Sequence, residues 1–215
     1  MAAHPAAAVR TLDGLRAAVA ACRLCGDAVT PPGVIWARPH HRALIVGQAP
    51  GSREVVRHMP FIGPAGKRLR VWLGPAGVHD EASFHDLFAV AAVTKCYPGR
   101  SRSGRGDRVP TPAERELCAP WTERALQLLD PPLVIPVGRL AIDDWIGREP
   151  LNQLVGERFE CDGRVVIPLP HPSGASAWAN GPAHLALVAR AVSRIAAELR
   201  VISSPARAGA RAHAR

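Results

Sequence analysis

The side chains most able to do chemistry in this sequence are its five cysteines. Cys22 and Cys25 form a C-x-x-C pair, Cys96 and Cys118 stand singly, and Cys161 directly precedes Asp162-Gly163, a pair that reads as a hairpin turn and marks this fifth thiol as a bystander. A secreted disulfide scaffold would be smaller and denser in cysteine. A thioredoxin-type redox pair would follow a strand and open a helix, whereas Cys22 and Cys25 follow a helical stretch near the N-terminus. Four thiolates can hold zinc or an iron–sulfur cluster. Zinc ribbons show two C-x-x-C knuckles and this chain has one, so spacing favours a cluster while leaving zinc and unrelated buried cysteines open. The second chemical feature is basic. Arg100, Arg102, Arg105 and Arg108 crowd one short stretch with only Asp107 against them, in a chain of net charge +9. Such an excess points to a polyanion, usually nucleic acid, although an arginine-rich genome-wide composition gives the same total.

These groups need a frame. Four aliphatic runs read as buried parallel strands: Ala43–Gly47, Leu87–Val93, Leu133–Val137 and Val165–Leu169. Helical stretches lie between and after them at Lys67–Leu73, Thr111–Leu129, Leu140–Ile146 and Pro182–Leu199. The longest internal one opens Thr-Pro-Ala-Glu, an N-cap with proline first and glutamate third. The pattern predicts a three-layer α/β/α sandwich around a central four-stranded parallel sheet. Residues 1–202 form one domain, and the Ser/Pro/Ala-rich tail 203–215, carrying Arg207, Arg211 and Arg215, is expected to be disordered. Each strand runs into an unusual segment: Gly47-Gln48-Ala49-Pro50-Gly51, Thr94-Lys95-Cys96, Gly138-Arg139, and Pro170-His171-Pro172-Ser173-Gly174. Ligands of open α/β sheets sit beyond the carboxyl ends of the strands, so these segments gather on one edge.

In chain order the motifs are C-x-x-C, Gly-Gln-Ala-Pro-Gly at 47–51, Pro-Phe-Ile-Gly-Pro-Ala-Gly at 60–66, Thr-Lys-Cys at 94–96, Thr-Pro-Ala-Glu-Arg-Glu-Leu-Cys at 111–118 and His-Pro-Ser at 171–173. Together, from about Cys22 to Leu199, they resemble the iron–sulfur uracil-DNA glycosylases of bacteria and archaea. The resemblance implies a 4Fe-4S cluster on Cys22, Cys25, Cys96 and Cys118. It also implies a DNA-repair reaction: uracil is flipped out of DNA, its N-glycosidic bond is hydrolysed, and free uracil and an abasic site remain. Gly47 and Gly51 would let the backbone approach the flipped nucleotide, and amides around Gln48 and Ala49 would meet a pyrimidine carbonyl. Phe61 matches the phenylalanine that stacks on uracil; without the resemblance, core packing explains it equally well. His171, kept neutral, would donate to O2 of the departing base as an oxyanion hole does; a structural histidine is the plainer alternative. Ser173 suits a DNA phosphate, as do Arg100, Arg102, Arg105 and Arg108.

The sequence also departs from that family. Gln48 stands where many members carry glutamate, and an amide can position water but cannot take its proton. Glu54 is the secondary candidate for that task. Ala92 replaces an asparagine that reads the uracil edge, which widens the expected lesion range toward other deaminated bases. The basic loop between Cys96 and Cys118 is long and has no histidine, which argues against covalent trapping. After His-Pro-Ser the nearest bulky side chain is Trp178, a wedge or a core residue.

Three functions compete: a glycosylase, a slow-turnover uracil- or abasic-site-binding protein, and a cluster-bearing flavodoxin-like electron carrier, which Gly47–Gly51 fits poorly. No apolar run approaches the ~18 residues of a membrane helix. The expected protein is a monomer that acts on uracil-containing DNA in the bacterial cytoplasm, away from membranes.

Overall fold

The computed structural model describes residues 3–104, 106–173 and 177–204. Arg105, the segment 174–176 and the basic tail from Pro205 onward lie outside the described residues.

Among the described residues, five strands form one sheet in the order β2-β1-β3-β5-β4. They are β1 (Ala43–Gly47), β2 (Ala89–Ala92), β3 (Leu133–Pro136), β4 (Phe159–Cys161) and β5 (Arg164–Val166). β1 pairs in parallel with β2 and β3, and β3 with β5. The expected count of four parallel strands is therefore right for the parallel set but one short for the sheet. Asp162 and Gly163, both at positive φ, turn the chain into a hairpin that adds β4 antiparallel to β5. β4 is short and only half-buried, so it lacks the unbroken apolar run that marks its neighbours.

Among the described residues, eight α-helices complete the fold: α1 (Leu12–Ala21), α2 (Ser52–Arg57), α3 (Pro64–Trp72), α4 (Glu81–Leu87), α5 (Pro112–Leu129), α6 (Arg139–Trp145), α7 (Leu151–Leu154) and α8 (Pro182–Ser203). The period-2 geometry of the strands divides them into layers. Ala43 and Ile45 of β1 face a cluster that includes Leu69 and Leu73, Phe84, and Val188, Val192 and Ile195 from the side of α3, α4 and α8. Leu44 and Val46 face the opposite cluster, with Leu15 and Val19, Trp121 and Ala125, and Ala141 from α1, α5 and α6. The result is the expected three-layer sandwich. Leu87, read as part of the second strand, instead ends α4, whose start is fixed by the Asp80–Ser83 capping box. α8 runs through Ser203, one residue into the segment assigned to the tail. No described helix is long and apolar enough to cross a membrane.

The free edge of β2 is not left bare. Trp36 pairs with Val90 through both backbone bonds, Val34 N–H donates to Lys95, and Thr30 exchanges bonds with Tyr97. An open strand edge is a template for unwanted pairing, and the segment following C-x-x-C covers this one. The same lacing carries Cys22 and Cys25 to the end of β2.

Candidate active site

The strand ends do converge. Val93 and Thr94 N–H donate to the carbonyls of Gly47 and Gln48, and Gly138 N–H donates to Leu169. His171 lies over the β3–α6 turn: a Cβ added at Gly138, which has φ +89°, would stand 3.1 Å from the imidazole Cδ2 and 3.2 Å from the histidine Cβ. Glycine is thus needed there both for its backbone angle and for the room the ring occupies. Ser173 backbone N–H donates to His171 Nδ1 at 3.2 Å. A neutral ring whose Nδ1 accepts carries its hydrogen on Nε2, so the loop itself selects the donor-outward tautomer. Burial lowers the His171 pKa, with the charge of Asp107 opposing, which favours the neutral form.

Phe61 stands opposite on the loop before α3, in a left-handed backbone conformation at φ +55° that a bulky residue seldom adopts. Three contacts hold it there. Arg70 Nη1 donates to the Phe61 carbonyl at 2.8 Å. A Cβ at Gly66 would fall 1.6 Å from that same carbonyl oxygen, so only glycine fits. Phe84 meets the ring edge-on at 6.0 Å between centroids. His85, buried on α4, turns its two ring nitrogens to the carbonyls of Pro60 and Glu81 and steadies the approach to the loop. The Phe61 ring passes beside Gly47, where an added Cβ would be 3.2 Å from Cζ. The ring therefore packs on the core and edges the Gly47–Gly51 loop. Ala92, paired with Gly47 in the sheet, carries no polar group that could read a base edge.

Gln48 and Glu54 have different surroundings. Gln48 Nε2 reaches the Arg108 carbonyl at 3.5 Å. Glu54 accepts from Gly51 N–H at 3.2 Å and lies against the backbone of Phe61 and Gly63. Burial raises its pKa, with the charge of Asp107 adding to the rise and those amides opposing it. Its carboxylate joins the Gly47–Gly51 loop to the Phe61 loop.

The basic loop is a small hairpin. Ser101 N–H donates to Gly106 and Arg108 N–H to Gly99, with Arg100 bridged to Asp107. Arg100 and Arg102 are exposed, as phosphate contacts should be. Arg108 corrects the expectation. Its guanidinium is bound bidentately to Glu114 at 2.8 and 2.5 Å and donates to the Ala28 carbonyl at 2.6 Å. It ties the hairpin to the start of α5 and to the C-x-x-C segment, and is already engaged without DNA. Arg105 lies outside the described residues. Trp178 resolves toward packing: it stacks flat on His184 at 4.1 Å and lies against the core. Arg53 and Arg57, exposed on α2 beside the cleft, were not singled out from sequence, where they lie outside the dense arginine stretch.

Sequence reasoning also passed over Asp107, taken only as a counter-charge. Its Oδ1 accepts from the Tyr97 hydroxyl at 3.2 Å, and its Oδ2 is 3.9 Å from a Cβ placed on Gly51.

On the far side of β2, Cys22, Cys25, Cys96 and Cys118 line one small cavity with Lys95 and Trp121. Burial first, and then the other three thiols, push the Cys96 pKa up to about 12, a sign of how closely the four converge. Among the described residues no group of three stands close enough to grip one metal ion. Lys95 is 1% exposed, with Nζ bonded to the Cys118 carbonyl and to Thr122 Oγ1, and its backbone N–H directed at Cys118 Sγ. Cys161 is elsewhere, against the Trp145 carbonyl.

A parallel-sheet sandwich with a neutral histidine and a glycine-flanked aromatic at its strand ends defines the class, and comparison with known proteins agrees. The model of the uracil DNA glycosylase superfamily matches residues 36–193, and the chain belongs to that superfamily. Relatives include the type-4 uracil-DNA glycosylases of Archaeoglobus fulgidus, 31% identical over 135 residues, and of Thermotoga maritima, 27% identical over 135 residues. The first match covers 62% of each chain, the second 61% of this chain and 65% of the relative. The type-4 enzyme of Pyrobaculum aerophilum is 33% identical over 122 residues, 57% of this chain and 54% of its own. The chain thus spans less than two thirds of the length of these relatives.

Proposed function

We propose that this protein is a DNA-repair glycosylase that hydrolyses the N-glycosidic bond of uracil flipped from DNA, releasing free uracil and an abasic site. The observation that carries the reading is His171, held neutral by burial with its Nδ1 occupied by the Ser173 amide. Its Nε2–H is then free to meet the O2 of a departing pyrimidine. Bond cleavage leaves negative charge on that oxygen, and a pre-aimed donor in a dry site stabilises the charge more than it stabilises the intact base. Phe61 supplies the stacking face, and Gly47 and the amides around Gln48 and Ala49 permit close approach. Ala92 supports tolerance of deaminated bases other than uracil. Ser173, Arg100 and Arg102 would hold phosphates.

The four cysteines fit a 4Fe-4S cluster, which supplies a rigid cross-link between the N-terminal segment and the ends of β2 and α5. The chain's own contribution is to deliver four thiols to one cavity, enclosed by Trp121 and by the aliphatic part of Lys95.

The test is single-turnover release of uracil from a labelled oligonucleotide. Wild-type protein should excise, and His171→Ala should be slower by about a hundredfold or more, corresponding to about 3 kcal/mol of transition-state stabilisation. DNA affinity should stay within a few-fold. Tight binding of uracil DNA without release by the wild-type protein would favour a binding module instead.

A further inference from the structure

We propose that Asp107, on the hairpin between Cys96 and α5, is the carboxylate that positions and deprotonates the attacking water. The assignment deepens the glycosylase reading and rests on it. Among the described residues of the Gly47–Gly51 loop and α2, the two other candidates are less suited. Gln48 carries an amide, which has no basic lone pair at neutral pH. Glu54 is committed to the Gly51 amide and to the backbone of the Phe61–Gly63 turn, so protonating it would loosen the loops that frame the site.

Asp107 meets the geometric requirement. Its Oδ2 lies against Gly51, its Oδ1 is held by the Tyr97 hydroxyl, and the next residue's carbonyl receives the Gln48 side-chain amide. The acid that the Gly-Gln-Ala-Pro-Gly segment lacks is thus presented to it from a neighbouring loop. Its charge also acts on both Glu54 and His171. The loop is anchored where the acid needs it. Arg100 is bridged to Asp107 across the hairpin, and Arg108, one residue on, is clamped to Glu114 and Ala28. Asp107 is exposed in the free protein, open to the solvent that would supply the nucleophile.

The reaction then divides between two loops. A water oxygen forms its bond to the sugar C1′ as the C1′–N1 bond breaks. The electron pair of that bond passes to the uracil ring and O2, opposite His171. The water's proton goes to Asp107, which later releases it to solvent or to the uracil anion. No redox partner or further reactant is required.

The test compares wild type, Asp107→Asn and Asp107→Glu by single-turnover excision from uracil DNA at saturating protein, with affinity measured separately by fluorescence anisotropy. The asparagine is isosteric and can keep the Tyr97 contact, so folding is preserved. Asp107→Asn should lose about a hundredfold in rate, in the range of general-base catalysis, while binding DNA as tightly as wild type or more so. Asp107→Glu should recover part of the loss, because the carboxylate returns at a longer reach. Excision by Asp107→Asn within threefold of wild type overturns the assignment while leaving the glycosylase reading intact. So does a loss of rate matched by an equal loss of affinity, or a glutamate variant no better than the asparagine. Inert wild-type protein, by contrast, would remove the glycosylase reading itself and this assignment with it.

Discussion

Replacing Arg108 by alanine separates two roles that a count of arginines cannot distinguish. Glu114 is 6% exposed, and in the native protein it is satisfied by two guanidinium bonds and the Thr111 amide. The hydrogen bonds to Arg108, ahead of other causes, hold its pKa down at about 2. Removing the guanidinium leaves a nearly buried carboxylate with one amide donor, and breaking such a pair costs about 3–5 kcal/mol. The arginine side chain is 27% exposed, so water softens the loss and the lower figure, about 3 kcal/mol, applies. For a chain of this size, roughly 2–4 °C of melting temperature follows each kcal/mol, so Arg108→Ala should melt about 6–12 °C below wild type at pH 7. Glu114 has a depressed folded pKa. Its contribution is complete above the unfolded carboxyl range near ~4.5 and disappears as pH falls toward the folded value. The gap between wild type and variant should therefore narrow in melts run near pH 4. Adding Glu114→Gln to Arg108→Ala should restore part of the loss, because no charge is then left unpaired. A drop under about 2 °C, joined to a salt dependence of DNA binding flatter by one unit, would show the guanidinium to be on phosphate and the structural argument to be wrong.

Two other outcomes follow. Removing Arg100 and Arg102 together should flatten the slope of log affinity against log salt by nearly two units and weaken binding to all DNA sequences alike, measured by anisotropy across a salt series; an unchanged slope would mean the hairpin points away from DNA. Protein purified anaerobically should hold about four irons per chain with broad visible absorption, Cys118→Ser should lose both, and Cys161→Ser should keep them; zinc without iron in the elemental analysis would end the cluster proposal.

The parallel strands were legible because buried strands carry unbroken aliphatic runs, as in Ala43–Gly47 and Leu133–Val137. The half-buried β4 has no such run, so only its Asp162-Gly163 turn could be read. The Asp80–Ser83 capping box was a local signal for α4 that went unused, and Leu87 was drawn into the strand as a result. At the candidate site, the C-x-x-C pair and the His-Pro-Ser segment stand out as short motifs, whereas Cys96 and Cys118 stand singly and join the set only through the family resemblance. Arg108 and Asp107 could not be read from the sequence. Their roles depend on Glu114, Ala28, Tyr97 and Gly51, and neighbouring charges in one loop do not reveal which side chain turns inward and which toward solvent. Electrostatic counting treats the two as a pair that cancels, whereas the fold sends them to different tasks.

If the proposed base excision holds, the left-handed backbone at Phe61 limits how a base preference could be re-engineered. The ring cannot be re-aimed by changing its own backbone, because Arg70, Gly66 and the buried His85 fix that peptide from three sides. Its clearance over Gly47 is a separate adjustment. A methyl group there would sit 3.2 Å from the ring tip, close enough to tilt the aromatic plane while leaving its anchor untouched. A library seeking a wider or narrower base range would therefore vary positions 47 and 92, which are paired in the sheet, and hold positions 61, 66 and 70 constant.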